Sequence, residues 1–285
     1  MKKLFVMWLL TVSSVVLAVE PIKIVVSTAP GGITDRVARA IQPHLNNNDV
    51  SFVVDYKIGA GGVVASNFLV EHDRPAVMVT SQSVIVNYLN GKLKYDLLKD
   101  YEMISCMVIN PMAIVVKNDS AVKSYYDLVN TKGLLYGTSG PGSVQSVISN
   151  HLTKNGPTQT EVYYKGGADI VYALLSKTVD WTIDSIGLFE PLLRSGDLRL
   201  LAVTDNHNYK SVPTFKDLGI DPGFQNKVFL LANTRDGKIN SYVRGVVKSN
   251  KVKDVIVDLG YTPCGEPDST FIANEMKVIQ RMQSK

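Results

Sequence analysis

The sequence is poor in cysteine, histidine and tryptophan: only Cys106 and Cys264, four histidines and two tryptophans occur in 285 residues. A small disulfide-stapled scaffold needs far denser cysteine. A chain of this length, with 45% hydrophobic residues, can bury a core without covalent help. His44, His72, His151 and His207 are scattered and none stands at ligand spacing from a second donor, so no metal and no cofactor is expected. Enzyme signatures are missing as well. There is no G-x-S-x-G elbow, no phosphate-binding P-loop and no H-E-x-x-H helix. An excess of one charge is lacking too, with 30 basic against 26 acidic residues.

What is present begins with an export signal. Met1, Lys2 and Lys3 precede a run over residues 4–17 that is apolar apart from Thr11, Ser13 and Ser14, and Val16-Leu17-Ala18 offers small residues for cleavage near Ala18. The run is shorter than the roughly 20 residues a spanning helix needs. Cleavage removes Lys2 and Lys3 and leaves 28 basic against 26 acidic residues, a balance that does not call for nucleic acid. Lys248, Lys251 and Lys253 read as a solvated helix face. Cys106 sits in the apolar run 104–109, where a buried thiol is the simplest reading, and two free thiols are expected.

Alternation of β-rich runs, glycine-rich turns and helical spacing dominates the rest. Residues 22–26 read as a strand closed by Ala29-Pro30-Gly31-Gly32, followed by Val37, Ala38, Ile41 and Leu45 at helical spacing. Residues 52–54 form the next strand, ended by Gly59-Ala60-Gly61-Gly62; 63–71 read as helix and 76–80 as a buried strand. Strands at 104–109 and 112–117 are separated by Asn110-Pro111, a natural crossing because proline cannot donate into a ladder. A second series follows, with turns at Ser139-Gly140-Pro141-Gly142-Ser143 and Lys165-Gly166-Gly167, and Val228 opens a return strand. The fold class is therefore α/β, with two lobes of mostly parallel sheet flanked by helices and a cleft between them. The expected division is 1–18 for the signal peptide, 19–112 with 230–285 for one lobe and 113–229 for the other.

Ligands of open α/β sheets collect beyond the carboxyl ends of the strands. A helix amino terminus there exposes unpaired N–H groups, and glycine lets an anion approach the backbone. Such a site holds a carboxylate without a cationic side chain. Thr34 can add a hydroxyl, whereas Asp35 beside a bound anion is repulsive and better suited to its own helix's first turn. Asp184-Ser185 closes an apolar strand, where an acid either meets ligand or caps the next helix. Of Tyr163 and Tyr164, one faces the cleft and one the core; Trp181 reads as core.

Pro30-Gly31-Gly32-Ile33-Thr34-Asp35-Arg36-Val37-Ala38-Arg39 resembles the first-loop signature of the Bug-type receptors, the substrate-binding subunits of tripartite tricarboxylate transporters. Gly59-Ala60-Gly61-Gly62, Tyr136 to Ser143, Tyr164-Lys165-Gly166-Gly167, Asp184-Ser185 and Gly196 to Thr204 match further family motifs in order. The resemblance implies a periplasmic binding protein of the type II-like, two-lobe kind, without catalysis. Carried over by motif, it implies that Gly31, Gly32, Thr34, Gly61 and Gly62 grip a ligand carboxylate, with Asp35 counted among the site residues of the first loop, and that Ser139, Ser143, Gly166 and Asp184 close from the other lobe. Departures at His72 to Val77 and at Asn226 to Phe229 leave the ligand open among di- or tricarboxylates, amino acids and aromatic acids. The implied partners are the membrane permease subunits, and the implied state is a monomer. Two rival readings are a sensor that feeds a two-component system and an exported α/β enzyme.

Overall fold

The strand Ile22–Val26 (β1) buries its last three side chains completely, which places it inside a sheet covered on both faces. The computed structural model describes residues 20–204, 209–220, 225–264, 267 and 269–284, so the leader expected at 1–18 lies outside the described residues. After β1 come α1 (Ile33–Leu45), β2 (Phe52–Tyr56), α2 (Val63–Glu71), β3 (Ala76–Ser81) and α3 (Ser83–Leu89). β4 (Glu102–Asn110) runs through Pro111 alone into β5 (Met112–Lys117). Then follow α4 (Tyr125–Asn130), β6 (Leu135–Thr138), α5 (Val144–Thr153), β7 (Thr160–Tyr163), α6 (Gly167–Leu175), β8 (Trp181–Ser185), α7 (Ile186–Arg194) and β9 (Leu198–Val203). β10 (Asn226–Ala232), α8 (Gly237–Val247), α9 (Asn250–Asp258), β11 (Thr262–Pro263) and α10 (Phe271–Gln283) complete the order.

Two sheets result. The first has the order β11-β4-β10-β3-β1-β2 and the second β7-β6-β8-β5-β9. β1 is parallel to β2 and β3, and β6 is parallel to β7 and β8, as the strand–turn–helix repeats require. The crossing strands differ. β10 is antiparallel to β3 and β4, and β5 is antiparallel to β8 and β9, because each enters its sheet from the other lobe. By sheet membership the chain divides at Pro111 and again ahead of Asn226.

This topology positions the cleft. β4 runs in the same sense as β1, β2 and β3, so all four end on the side where Pro111 carries the chain across. β8 is antiparallel to β5, with Ser185 opposite Met112, so β8 and its parallel neighbours β6 and β7 end at that same crossing. The carboxyl ends of both sheets therefore face each other. The Asn110 amide donates to the Ser185 hydroxyl across the junction, and the Met112 N–H donates to Thr204 Oγ1 at 2.9 Å.

Trp181 is fully buried against Tyr136, and its indole N–H donates to Gln159 Oε1 at 2.8 Å, so it belongs to the core of the second lobe. The final helix α10 straddles both lobes. It lies against α3, and its last residues meet α5, where the His151 ring stands 3.0 Å from the Met282 carbonyl. Glu275 on α10 is buried in an ion pair with Lys227 of β10, and the Gln82 carboxamide donates to the same carboxylate.

The two free thiols expected from the sequence are instead a disulfide. β11 pairs with β4, Pro263 opposite Val108, and the Cys264 N–H donates to the Met107 carbonyl at 3.1 Å. That register brings Cys264 beside Cys106, with 5.4 Å between Cα atoms across 158 residues of sequence. The distance is the usual one for a disulfide.

Candidate functional site

The first lobe's part of the site is built around the end of β1. Ser27 and Thr28 follow the strand directly, and Thr80 occupies the corresponding end of β3. The Ser27 hydroxyl donates to Thr80 Oγ1 at 3.3 Å, while Thr28 and Thr34 share a short hydroxyl–hydroxyl bond. Both grip loops border this group. A Cβ on Gly32 would stand 3.2 Å from Thr28 Oγ1, and one on Gly62 would stand 3.5 Å from Thr80 Oγ1 and 3.6 Å from Ser27 Cβ. Gly32 and Gly62 thus converge on one hydroxyl-lined corner, and each is the amino cap of its helix, α1 and α2, with no side-chain cap bond. Gly62 has φ +96, a left-handed conformation that an L side chain rarely adopts. The corner offers hydroxyls, helix N-terminal amides and two positive dipole ends to an anion.

Gly31 and Asp35 are engaged with each other. The Gly31 N–H donates to Asp35 Oδ2 at 2.7 Å, while Asp35 Oδ1 accepts from Arg39 Nε at 2.9 Å and from the Tyr56 hydroxyl at 2.5 Å. Asp35 therefore braces the first loop from behind and reaches back to Gly31, not to the first turn of α1. Burial works to raise its pKa, but the Gly31 N–H, the Tyr56 hydroxyl and the Arg39 guanidinium outweigh it and hold the carboxyl below its ordinary value of 3.8. A depressed carboxylate pKa adds stability that is complete above the unfolded value of about 3.9 and is lost as pH falls through the folded one. Asp35→Asn is expected to flatten the acid side of the stability profile below about pH 4, read from urea melts at several pH values. An unchanged slope below pH 4 would count against this brace.

The second lobe supplies the facing rim. Ser143 caps α5, its hydroxyl accepting from the Ser146 N–H at 3.1 Å, while Ser139 is exposed on the turn before it. Gly166 is the amino cap of α6 without a side-chain cap bond. Asp184 is buried beside that helix start: a Cβ on Gly167 would stand 3.4 Å from its Oδ2. Its Oδ1 accepts the Ser185 N–H at 2.7 Å and its Oδ2 the Gln145 amide at 3.1 Å. Burial raises its pKa, partly offset by these two donors. Tyr163 is the exposed tyrosine of the pair, its ring within 4 Å of where a Cβ on Gly140 would lie, and Tyr164 turns its hydroxyl into a buried, unpartnered position.

Ser27, Thr28 and Thr80 are functional candidates that sequence reasoning missed. Their signal was available, since all three directly follow or end a parallel strand. Asn87, between the lobes, was missed for another reason. The run Val84-Ile85-Val86 has three β-branched residues and hides the short helix α3.

The family described as the tripartite tricarboxylate transporter family receptor (TctC) matches residues 37–253. The chain belongs to that family. Its relatives include a UPF0065 protein of Bordetella bronchiseptica, 26% identical over 203 residues, which span 68% of this chain and 61% of that protein. Protein BugT of Bordetella pertussis is 25% identical over 90% of this chain and 86% of its own length. Among solved structures, an R. palustris protein with adipate superposes with a TM-score of 0.78 at 23% identity, covering 92% of this chain and 95% of that one. The receptor family is thus fixed together with its two-lobe α/β fold. Among the described residues no helix is long and apolar enough to cross a membrane.

Proposed function

We propose that this TctC-family receptor is exported to the periplasm, closes its lobes on a small dicarboxylate without converting it, and hands it to the membrane subunits of a tripartite tricarboxylate-type transporter. One observation carries the reading: Gly32 and Gly62, each an amino cap without a side-chain partner, converge on the hydroxyls of Ser27, Thr28, Thr34 and Thr80. Of the residues proposed to hold ligand, Gly32, Thr34 and Gly62 border this corner, Gly61 belongs to the same loop as Gly62, and Gly31 and Asp35 shape the first loop. Ser139, Ser143, Gly166 and Asp184 meet the ligand's far end. The disulfide fits an oxidising compartment. The adipate held by the R. palustris protein of the same fold supports a diacid as ligand.

A thermal-shift screen with adipate, shorter and longer diacids and matched monoacids tests this. A ligand that binds only the folded form at 100 times its dissociation constant adds about 2.7 kcal/mol. Melting points are expected to rise by several degrees with a diacid and less with its monoacid. Thr34→Val should cut the shift, because a buried hydroxyl donor to a charged oxygen contributes about 1.5–3 kcal/mol. No response to any acid at millimolar concentration would end the proposal.

A further inference from the structure

We propose that Asn87 is a latch between the lobes that sets how much of the ligand-free receptor is already closed. This rests on the receptor reading above and concerns the regulation of the same cleft. Asn87 lies on α3 in the first lobe and is 1% exposed. Its Nδ2 donates to the Gly61 carbonyl at 3.2 Å, to the Gly142 carbonyl at 3.2 Å and to the Ser83 carbonyl at 2.9 Å. Gly61 belongs to the second grip loop and Gly142 to the turn after β6 in the other lobe. One carboxamide, with two hydrogens for three carbonyls, therefore joins the grip loop to the opposite rim.

Both glycines are shaped around it. Gly61 has φ +61, and a Cβ there would stand 2.6 Å from Asn87 Nδ2. Gly142 has φ +93, and a Cβ there would stand 2.9 Å from Asn87 Cγ. The approach of the two loops requires bare backbone on each side and a donor of asparagine's length between them.

The latch is weak by construction. The bond to Gly142 exists only when the lobes meet, which favours the closed form. Asn87 Oδ1, however, is buried with no partner. That orphan reduces the gain, but the bond to Gly142, one neutral hydrogen bond, still biases the lobes toward closure. A bias of this size closes part of the ligand-free population and leaves the ligand to complete the shift.

The test labels one introduced cysteine on each lobe, Leu98→Cys and Tyr172→Cys, both exposed positions, with the native cysteines held in their disulfide. Förster transfer is measured in the ligand-free protein and with adipate. Asn87→Ala is expected to lower transfer in the ligand-free protein, with adipate restoring it, and to weaken the apparent affinity for adipate roughly 3- to 30-fold. Gly142→Ala, which drives a methyl into the carboxamide, is expected to open the lobes alone and to add little on top of Asn87→Ala. A residue that merely ties up its own helix through Ser83 would leave transfer unchanged and show no coupling to Gly142. Unchanged transfer in both single variants, or additive effects in the double variant, overturns the latch. Transfer in the ligand-free chain needs no ligand. A chain that opens on Asn87→Ala yet binds no diacid sinks the receptor reading alone, and one that binds diacid without that opening sinks the latch alone.

Discussion

Replacing Glu275 by alanine is expected to cost about 3–5 kcal/mol of folding stability, because it leaves the Lys227 ammonium buried without its counter-charge. The two side chains retain only 6% and 16% of their exposure, and Gln82, fully buried, donates to the same carboxylate while its Oε1 accepts the Lys227 N–H at 3.0 Å. Taking the charge pair out of water already costs several kcal/mol per ion, so the pair itself adds little net stability and breaking it is what hurts. The double change Lys227→Met with Glu275→Leu is therefore expected to recover most of the loss. Urea melts of the three proteins check both statements. A Glu275→Ala protein within 1 kcal/mol of the parent would show that water reaches the lysine.

Removing the disulfide is expected to cost a similar amount, about 3–5 kcal/mol, through the freedom that the unfolded chain regains when a loop of 158 residues opens. Cys106→Ala with Cys264→Ala is the clean variant, since Cys106 is buried and serine would leave a hydroxyl without a partner. The parent treated with a reductant should show the same fall in its urea midpoint. Equal midpoints with and without reductant would mean that the edge pairing of β11 with β4 carries the stability by itself.

The parallel parts of both lobes were legible because their signals are local. Val37, Ala38, Ile41 and Leu45 recur on one buried helix face, and each glycine turn follows its strand within a few residues. The disulfide was not legible, because only the antiparallel register of β11 with β4 puts the two cysteines side by side. Cys106 in an apolar run looks the same whether it is bonded or free. Asp35 was read as serving the first turn of its helix, but its partners Gly31 and Tyr56 flank that helix, and Tyr56 arrives from a neighbouring strand 21 residues on. The buried trio of Gln82, Lys227 and Glu275 drew no notice, since residues separated by up to 193 positions announce nothing to one another until the final helix is laid down.

Only Pro111 stands between the last residue of one sheet and the first of the other. Successive Cα atoms are 3.8 Å apart across a trans peptide, and the pyrrolidine ring holds φ near −65°. A spacer this short and stiff forbids the two halves from drifting apart or shearing past each other. The movement left to them is a swing about one pivot. Insertion of two glycines after Asn110 converts that swing into free play, and such a protein should fold while losing its grip on any guest.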